Sequence, residues 1–512
     1  MVKLQRFRFL KLFQNKLVFG LGLTLIILAL LSAIAFFLVK KLRPAVPETI
    51  NIGEADAPFN RGKADGKALQ RLAKREHPVT WVFAGDSITH GCMHTDYLRN
   101  YQEYFTQAMK VSPQRAQDIV VNTGVSGATT VELMQYFDAW VMDYRPDVVF
   151  ICYGMNDCAA QGMTVETYRQ NLGEAVRRIR ASGAIPVLHT PNTSRRQRNL
   201  MPYLEAVRKL AEEEAVLFVD HNAFWSAHSR EVKTLMSDAI HPNEYGHLLL
   251  CRYLLQSLDL ITPFAKGLLK SGSYRDILLP PDQAPVPAPF SHDMQKSRLL
   301  APCLSNGKPS VWVYLGGAAT AGTQLSANGA RAYPEHIQEV VRWEMIDDEY
   351  TTRMRYCLNS AHPGDTVSDM LAHYDDWAGR FRPALVSIMP ELEADGLVSE
   401  DVFESDLAAL VRRARADGAL VLLQTPLLLR EEAGAYLSVM RRLADAQGVL
   451  LLDHALLAQQ AAEQYPNTGD KWLFSNGMPN EEGELIIARN FCATLLTVPK
   501  KSRILTKDYS CV

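Results

Sequence analysis

The chain has 512 residues, more than one ordinary hydrophobic core accommodates, so two domains are expected. Hydrophobic residues make up 47% of the sequence and charged residues 21%, the balance of a globular protein rather than a disordered one. The net charge of −2 at pH 7 lacks the basic excess of a nucleic-acid-binding protein, so no nucleic-acid partner is expected.

The amino-terminal segment predicts a membrane anchor. The uncharged apolar run 17–39, as a helix rising about 1.5 Å per residue, is about 34 Å long, enough to cross a hydrocarbon core of about 30 Å. Five basic residues precede the run and three follow it, which favours a cytoplasmic tail at 1–16 and an extracytoplasmic location for everything after the anchor. A cleaved signal peptide is the alternative, with Ala33-Ile34-Ala35 as its cleavage site, but signal-peptide apolar regions usually have only about 7–15 residues.

The segments that follow the anchor alternate in a way that predicts an α/β domain. Residues 40–77 are polar and lack an apolar period, so they are interpreted as a stalk. Residues 78–262 alternate β-rich runs with amphipathic helices such as Thr164–Ala181. The predicted strands are Thr80–Ala84, Asp118–Asn122, Val148–Tyr153, Ile185–Thr190 and Val216–Val219. This order predicts a parallel sheet covered on both faces by helices, with ligands bound beyond the carboxyl ends of the strands.

Ser87 follows the first predicted strand, within the run Gly85-Asp86-Ser87-Ile88-Thr89-His90-Gly91. A serine in the turn after a buried strand is placed to act as an exposed nucleophile. The alternative is that Ser87 only caps the following helix, a common role for serine at such a turn. The run also differs from the G-x-S-x-G elbow of α/β-hydrolases.

A candidate base lies near the end of the same domain, in Asp238-Ala239-Ile240-His241-Pro242-Asn243. A serine hydroxyl is a weak nucleophile and requires a base within hydrogen-bond reach, itself oriented by a third group. His241 suits the role of base because the pKa of histidine lies near neutrality, and Asp238 is placed to hold its ring. The alternative is an ordinary aspartate and histidine on the surface.

Two further segments provide candidate oxyanion donors at the same edge of the sheet. The second strand runs into a glycine-containing loop at 122–129, and the third strand is followed by Asn156. The Gly127 amide and the Asn156 carboxamide, beside the Ser87 amide, are neutral donors of the kind that stabilises a developing oxyanion. Each also has a purely structural alternative, Gly127 as a turn residue and Asn156 as a cap.

The second half of the chain repeats the first in order, at an offset of about 231–237 residues. Arg99, Tyr101, Glu103, Asn122 and Arg145-Pro146 correspond to Arg331, Tyr333, Glu335, Asn359 and Arg382-Pro383. This similarity predicts a tandem duplication, with the first copy at 78–262 and the second at 309–498. A proline-containing linker at 263–308 joins the copies, and 499–512 form a tail.

The second copy lacks the residues that acyl transfer needs. Gly317-Ala318, Glu393, Ser475 and Met478 correspond to Asp86-Ser87, Asn156, Asp238 and His241, while Gly364 remains opposite Gly127. Nucleophile, base and orienting residue are therefore absent together, and an anion stands where an oxyanion needs a donor. Because the apolar framework persists, we expect the second copy to fold as a degenerate, catalytically inactive domain.

Four short motifs of the first copy resemble blocks I, II, III and V of the SGNH/GDSL hydrolases, in order and at similar spacings. They are Gly85-Asp86-Ser87, Gly127, Gly154-Met155-Asn156-Asp157 and Asp238-Ala239-Ile240-His241-Pro242. The resemblance covers the whole first copy and implies a flavodoxin-like three-layer α/β/α fold with a metal-free mechanism. It also implies Ser87 as the nucleophile, Gly127 and Asn156 as oxyanion donors, and His241 as the base with Asp238 as its partner.

The expected function is hydrolysis of an acyl ester, by analogy a small acyl group such as acetyl on an extracytoplasmic glycan. Acyl transfer to a sugar hydroxyl and lipase or lysophospholipase action are alternative reactions, and a glycan-binding envelope scaffold is the alternative without catalysis. The eight cysteines form no CxxC pair and no Cys/His cluster, so no structural zinc is expected, and the mechanism requires no cofactor.

The roles of four side chains close to these motifs remain open, with two interpretations for each. Cys92 and Cys158 follow blocks I and III, and an oxidising compartment would permit a disulfide between them, although two ordinary small residues are preferred. His90 and His94 follow Ser87 and are either substrate contacts or ordinary histidines.

Overall fold

A computed structural model of the chain describes residues 50–504, with gaps at 76, 96, 197–198, 261–287, 289, 305–308, 326–328, 346–353, 393–397, 429–433, 498–501 and 503. The predicted anchor at 17–39 and the tail before it lie outside the described residues. Within the described part of the chain, no helix is both long enough and apolar enough to cross a bilayer.

The first domain contains a sheet of five parallel strands in the order β2-β1-β3-β4-β5. The strands are β1 (Thr80–Gly85), β2 (Ile119–Asn122), β3 (Val148–Cys152), β4 (Ile185–His189) and β5 (Leu217–Val219). Every residue of these strands is buried, which explains their nearly continuous apolar sequences. The predicted parallel α/β sheet is thus confirmed, and the predicted strand ends differ from the observed ones by at most one residue.

Helices cover the first sheet and fill the connections between its strands. Their bounds are Ser87–His90, Tyr101–Lys110, Thr130–Gln135, Phe137–Trp140, Val165–Ala181, Met201–Glu213, His221–Ala227 and Glu244–Ser257. The helix predicted at Thr164–Ala181 begins at Val165 because Thr164 is its N-cap, and the Thr164 hydroxyl accepts a hydrogen bond from the Thr167 amide at 3.0 Å. These connections place the ends of β1, β2 and β3 at one edge of the sheet.

The second domain has the same strand order. Its strands are β6 (Ser310–Gly316), β7 (Arg355–Asn359), β8 (Leu385–Met389), β9 (Leu420–Thr425) and β10 (Leu450–Asp453), arranged β7-β6-β8-β9-β10 and all parallel. Its helices are Ala318–Ala321, Tyr333–Glu339, Val367–Ala372, Tyr374–Trp377, Glu400–Ala416, Gly434–Gln447, His454–Gln464, Thr468–Trp472 and Glu481–Leu495. The chain therefore has the two parallel-sheet α/β domains that the sequence predicts.

Part of the predicted stalk is instead packed on the first domain. Helices Ala57–Arg61 and Ala64–Leu72 both lie within 40–77. The buried Asn60 side chain donates to the carbonyl oxygens of Phe218 at 2.8 Å and Ser257 at 2.9 Å, and accepts from the Phe218 amide at 2.9 Å. The stalk prediction is wrong for these residues, because a polar segment can dock through buried hydrogen bonds that leave no apolar period.

The linker predicted at 263–308 is also shorter than expected. Helix Met294–Leu304 forms part of the second domain, where Leu300 and Cys303 belong to its buried core. Pro302 lies inside this helix. The predicted linker therefore ends before Met294, because a segment that contains proline can still form a helix that packs on the second domain.

The two domains meet through the edge strands of their sheets. Strands β2 and β7 lie side by side across the interface. Tyr144 of the first domain packs against Tyr356 of the second in an edge-to-face arrangement, with ring centroids 5.8 Å apart. Both tyrosines are buried in a hydrophobic cluster to which the two domains contribute. The second domain is therefore packed against the edge of the first sheet at which β2 and its neighbour β1 lie.

Candidate active site

Ser87 begins the short helix Ser87–His90 directly after strand β1. The strand ends at Gly85, where an added Cβ would lie 2.1 Å from the Thr89 hydroxyl and 2.8 Å from the Cys152 carbonyl oxygen, so only glycine fits. The Asp86 side chain caps the helix by accepting from the Ile88 amide at 2.9 Å. Because the cap is Asp86, the Ser87 hydroxyl is not used to cap this helix.

His241 lies beside Ser87 although 154 residues separate them in the chain. The Ser87 Oγ is 2.9 Å from the His241 Nε2, and the His241 Nδ1 is 2.9 Å from the Asp238 Oδ2. The other Asp238 oxygen accepts from the backbone amides of Ile240 and His241, at 2.7 and 2.8 Å. The three residues that the sequence singled out as nucleophile, base and orienting group thus form one hydrogen-bonded series.

The charge of Asp238 fixes the direction of the hydrogen bonds in this series. Partial burial acts to raise the pKa of Asp238, but the hydrogen bonds from the His241 amide and ring and the Ile240 amide outweigh it and lower the pKa to about 2. An ionised carboxylate only accepts hydrogen bonds, so the His241 Nδ1 carries the proton. The His241 Nε2 then presents its lone pair to the Ser87 hydroxyl, as a general base must.

The loop after strand β2 carries Gly127 to the same edge of the sheet. Gly127 has a φ of +86°, a left-handed conformation that favours glycine. The Ala128 carbonyl, next in the chain, accepts from the Asn156 side chain at 3.0 Å. Asn156 follows strand β3, so strands β1, β2 and β3 place the Ser87 amide, the Gly127 amide and the Asn156 carboxamide around one corner of the sheet.

The second domain shows what the equivalent backbone amides can bind. One carboxylate oxygen of Glu391 accepts from the Ala318 amide at 2.7 Å and from the Gly364 amide at 3.1 Å. Ala318 and Gly364 correspond to Ser87 and Gly127, so this pair of amides converges on a single oxygen in the second domain. The contact was not predicted from the sequence, which drew attention to Glu393, a residue outside the described part of the chain.

Gly317 makes room for this internal carboxylate. A Cβ at Gly317 would lie 1.8 Å from the Glu391 carboxylate oxygen. Glu391 can therefore occupy this position only because glycine replaces Asp86. The loop shape that carries the base is kept, since the Phe474 amide donates to Met478 as the Ser237 amide donates to His241. The second domain therefore retains the backbone of the site, and its own Glu391 carboxylate binds the two amides.

His94 packs directly on His241, a contact that the sequence does not predict. The two rings stack with centroids 3.8 Å apart and planes within 6° of parallel. Burial, and after it the proximity of the His241 ring, lowers the pKa of His94 to about 4, so His94 is neutral near pH 7. His90, the other histidine left open, is buried and its Nδ1 lies 2.9 Å from the Ser126 hydroxyl.

Residues 83–249 match the model of the GDSL-like Lipase/Acylhydrolase family. Over these residues the chain is similar to that family. The match confirms the predicted SGNH/GDSL family, and with it the prediction of a carboxylic ester hydrolase. It covers the strands and loops that carry Ser87, Gly127, Asn156, Asp238 and His241, and it ends before the linker to the second domain.

Several proteins are similar to part of the chain. An acetylxylan esterase of Geobacillus stearothermophilus is 29% identical over an alignment of 159 residues, and the match covers 27% of this chain and 71% of that protein. An uncharacterized protein of Mycoplasma pneumoniae is 32% identical over 118 residues, 22% of this chain and 13% of that protein. The uncharacterized lipoprotein YqeF of Bacillus subtilis is 32% identical over 116 residues, 21% of this chain and 46% of that protein. The chain thus spans less than half the length of two of these three relatives.

Solved structures similar to the chain include an acetylxylan esterase from Geobacillus stearothermophilus. It is 26% identical, and the match covers 35% of this chain and 94% of that chain with a TM-score of 0.31. The crystal structure of LAE5, an α/β hydrolase from the metagenome of Lake Arreo, is 23% identical over 36% of this chain, with a TM-score of 0.32.

Among the residues that the structure describes, one group of potential metal ligands is found, and it lies in the GDSL domain. His94, Asp238 and His241 offer ligand atoms within 4.8 Å of one another. The histidine rings are nearly parallel, so their in-plane lone pairs run side by side rather than converge on one ion. Asp238 is also bonded to His241, whose remaining nitrogen faces Ser87. We therefore assign hydrogen-bonding roles, and no metal, to these three side chains.

The cysteines near the catalytic blocks are free thiols. Cys92 is buried and Cys158 is partly buried, and neither is in a disulfide. The Cys158 thiol donates to the Met155 carbonyl at 3.2 Å, within the turn that positions Asn156.

Proposed function

We propose that the protein is a membrane-anchored, extracytoplasmic serine esterase that removes small acyl groups, above all O-acetyl groups, from a glycan. The observation that carries the catalytic part is the series Ser87–His241–Asp238, with both hydrogen bonds at 2.9 Å. Such a series is the arrangement in which a hydroxyl becomes a nucleophile at neutral pH.

The chemistry proceeds in two halves through an acyl-enzyme. The His241 Nε2 takes the Ser87 proton while the Ser87 Oγ attacks the ester carbonyl carbon, and Asp238 stabilises the imidazolium that forms. The carbonyl oxygen becomes an oxyanion among the amides of Ser87 and Gly127 and the carboxamide of Asn156. The alcohol leaves with the proton from His241, and a water molecule repeats the sequence on the acyl-enzyme.

The oxyanion position is supported by the second domain. There a carboxylate oxygen of Glu391 sits on the two amides that correspond to Ser87 and Gly127. A carboxylate oxygen carries the negative charge that a tetrahedral oxyanion carries, so Glu391 stands in for that species. In the first domain, Asn156 supplies the third donor. Among the described residues, no anionic side chain bonds to the amides of Ser87 and Gly127.

The proposed substrate and location rest on similarity and on the amino-terminal sequence. The acetylxylan esterase among the relatives removes acetyl groups from a polysaccharide, as its name states, and is 29% identical over 159 residues. The apolar run at 17–39, with more basic residues before it than after it, supports an anchored enzyme that faces away from the cytoplasm. A substrate on the cell envelope fits such a position.

The test uses the purified full-length chain in detergent micelles. We expect it to release p-nitrophenol from the acetate ester much faster than from the octanoate ester, and to release acetate from acetylated xylo-oligosaccharides. Ser87→Ala should abolish both activities, whereas Ser182→Ala, at the carboxyl end of helix Val165–Ala181, should leave both unchanged. Full activity of Ser87→Ala would refute the serine mechanism, and preference for the octanoate ester would refute the small acyl group.

Hydrolysis and acyl transfer differ only in the acceptor that attacks the acyl-enzyme. We expect acetate to appear at the same rate with and without an excess of unacetylated xylo-oligosaccharide. Acetylation of the added sugar in place of acetate release, measured by mass spectrometry, would show that the enzyme is a transferase.

A further inference from the structure

The two domains pack through a reciprocal pair of buried ion pairs. Arg331 of the second domain bonds to Glu103 of the first at 2.9 Å, and Arg99 of the first lies 3.5 Å from Glu335 of the second. Arg99 corresponds to Arg331, and Glu103 to Glu335, in the sequence repeat. Each domain therefore presents the same surface to the other, as the subunits of a symmetric dimer do.

From this interface Arg342 reaches the loop that carries Gly127. Arg342 lies in the π-helical turn Val340–Glu344 and is fully buried. Its guanidinium donates to the carbonyl oxygens of Asn122 at 3.1 Å and Gly124 at 2.5 Å. Hydrogen bonds from a charged donor are about twice as strong as neutral ones, and a guanidinium fixes two acceptors in one plane.

The two carbonyls that Arg342 holds begin the oxyanion loop, residues 122–128. Gly124 is packed so closely on the Ser87 helix that an added Cβ would lie 2.5 Å from the His90 amide nitrogen. The Val125 amide then bonds to the Gly85 carbonyl at 2.9 Å, two residues before the nucleophile. A shift of Gly124 is therefore passed to Gly127, whose amide must point at the oxyanion.

A second contact from the same domain reaches the loop of His94. Glu339 accepts from the Met93 amide at 3.2 Å and is bound on its other oxygen by Arg331. Met93 has a φ of +67°, an unfavourable conformation for a non-glycine residue, so an external contact is needed to hold it. His94, the next residue, stacks on His241.

We propose that the catalytically inactive domain completes the active site of the GDSL domain, with Arg342 as the positioning residue for the oxyanion loop and Glu339 as a brace for the His94 loop. The proposal rests on the proposed esterase function. It explains why the second domain keeps its fold and its interface after losing nucleophile and base: its interface side chains act on the neighbouring site rather than on its own.

Lys110 provides a matched control. It corresponds to Arg342 in the sequence repeat and is likewise buried, but it belongs to the first domain. Burial lowers its pKa, against the opposing charges of Asp118 in its own domain and Asp365 in the second domain. Its Nζ has no hydrogen-bond partner among the described residues. Replacing Lys110 with methionine therefore removes the buried basic side chain at the equivalent position without removing a hydrogen bond to the oxyanion loop.

The experiment compares full-length Arg342→Met, Arg342→Lys and Lys110→Met with the wild type. Ester hydrolysis is measured per native molecule, with circular dichroism giving the native fraction. We expect Arg342→Met to lower kcat about 10- to 100-fold with little change in KM, since displacement of a catalytic group by about 1 Å has effects of this size. Arg342→Lys keeps the charge but not the two-pronged geometry and should give an intermediate kcat, and Lys110→Met should keep wild-type kcat.

Hydrogen exchange provides a readout that does not depend on activity. Amides of residues 122–128 should exchange faster in Arg342→Met and Arg342→Lys, and at the wild-type rate in Lys110→Met. Wild-type kcat and exchange in both Arg342 variants would overturn the proposal, as would equal losses in Lys110→Met. If Arg342→Met does not fold, Arg342→Lys decides by the same criteria. An inactive wild type would refute the esterase function, and the exchange rates would still decide whether Arg342 holds the loop.

Discussion

Replacing Asn156 with alanine removes one of the three proposed oxyanion donors while leaving the other two in place. One N–H of the Asn156 carboxamide donates to the Ala128 carbonyl at 3.0 Å, which fixes the orientation of the amide group. The second N–H remains to point at the oxyanion, beside the amides of Ser87 and Gly127. Asn156→Ala therefore has two separable effects, one on the transition state and one on the fold.

The two effects differ in magnitude. Loss of one oxyanion donor costs about 2.7–4 kcal/mol in the transition state, which is about 10²–10³-fold in kcat. Loss of the Ala128 hydrogen bond costs about 1 kcal/mol of stability, since Asn156 is only partly buried and water can replace the donor. Asn156→Asp keeps the shape but places an anion there, as Glu391 does in the second domain, and should reduce kcat at least as far.

Steady-state hydrolysis of p-nitrophenyl acetate and thermal unfolding distinguish these effects. We expect kcat to fall about 10²–10³-fold in Asn156→Ala with KM nearly unchanged and a native fold at the assay temperature. A kcat within about threefold of wild type in the folded variant would show that Asn156 is no oxyanion donor. Loss of activity in proportion to loss of native protein would show instead that Asn156 is structural.

Three further predictions concern the surroundings of the site. His94→Ala removes the ring stacked on His241 and should lower kcat/KM about two- to fivefold, the equivalent of about 0.5–1 kcal/mol. His94→Phe retains a stacked ring and should keep wild-type kinetics, so equal kcat/KM values for the two variants would show that the stack has no effect on catalysis. Ala318→Ser in a Ser87→Ala background should restore no ester hydrolysis, because Met478 cannot accept the serine proton, and measurable turnover would refute the inactive second site. Asn60→Ala should lower the free energy of unfolding by about 1–3 kcal/mol in denaturant titrations without changing KM, and an unchanged free energy would show that the helices at 57–72 do not stabilise the domain.

The sheets and the residues proposed to be catalytic could be predicted from the sequence because their signals are local. Fully buried parallel strands appear as continuous apolar runs, so β1 and β3 were located to within one residue. Ser87, Asn156 and His241 follow strands or lie in short motifs at recognisable spacings. Parallel strands bring such residues to one edge of the sheet, which is why motifs far apart in the chain lie within hydrogen-bond distance of each other.

The remaining features depend on contacts between segments that are distant in the chain. Asn60 bonds to Phe218, 158 residues away, and Arg342 bonds to Gly124, 218 residues away. A single buried side chain of this kind creates no periodic pattern. The stack of His94 on His241 and the carboxylate of Glu391 on the amides of the second domain also arise only when loops fold onto each other.

Labelling of the full-length chain with a fluorophosphonate tests whether the protein has one serine nucleophile in one active domain. We expect a single adduct by intact mass, mapped by peptide sequencing to Ser87, and no adduct in Ser87→Ala. His241→Ala should slow labelling strongly, because no base removes the serine proton. An adduct between residues 309 and 498, or undiminished labelling of Ser87→Ala, would show that Ser87 is not the single nucleophile.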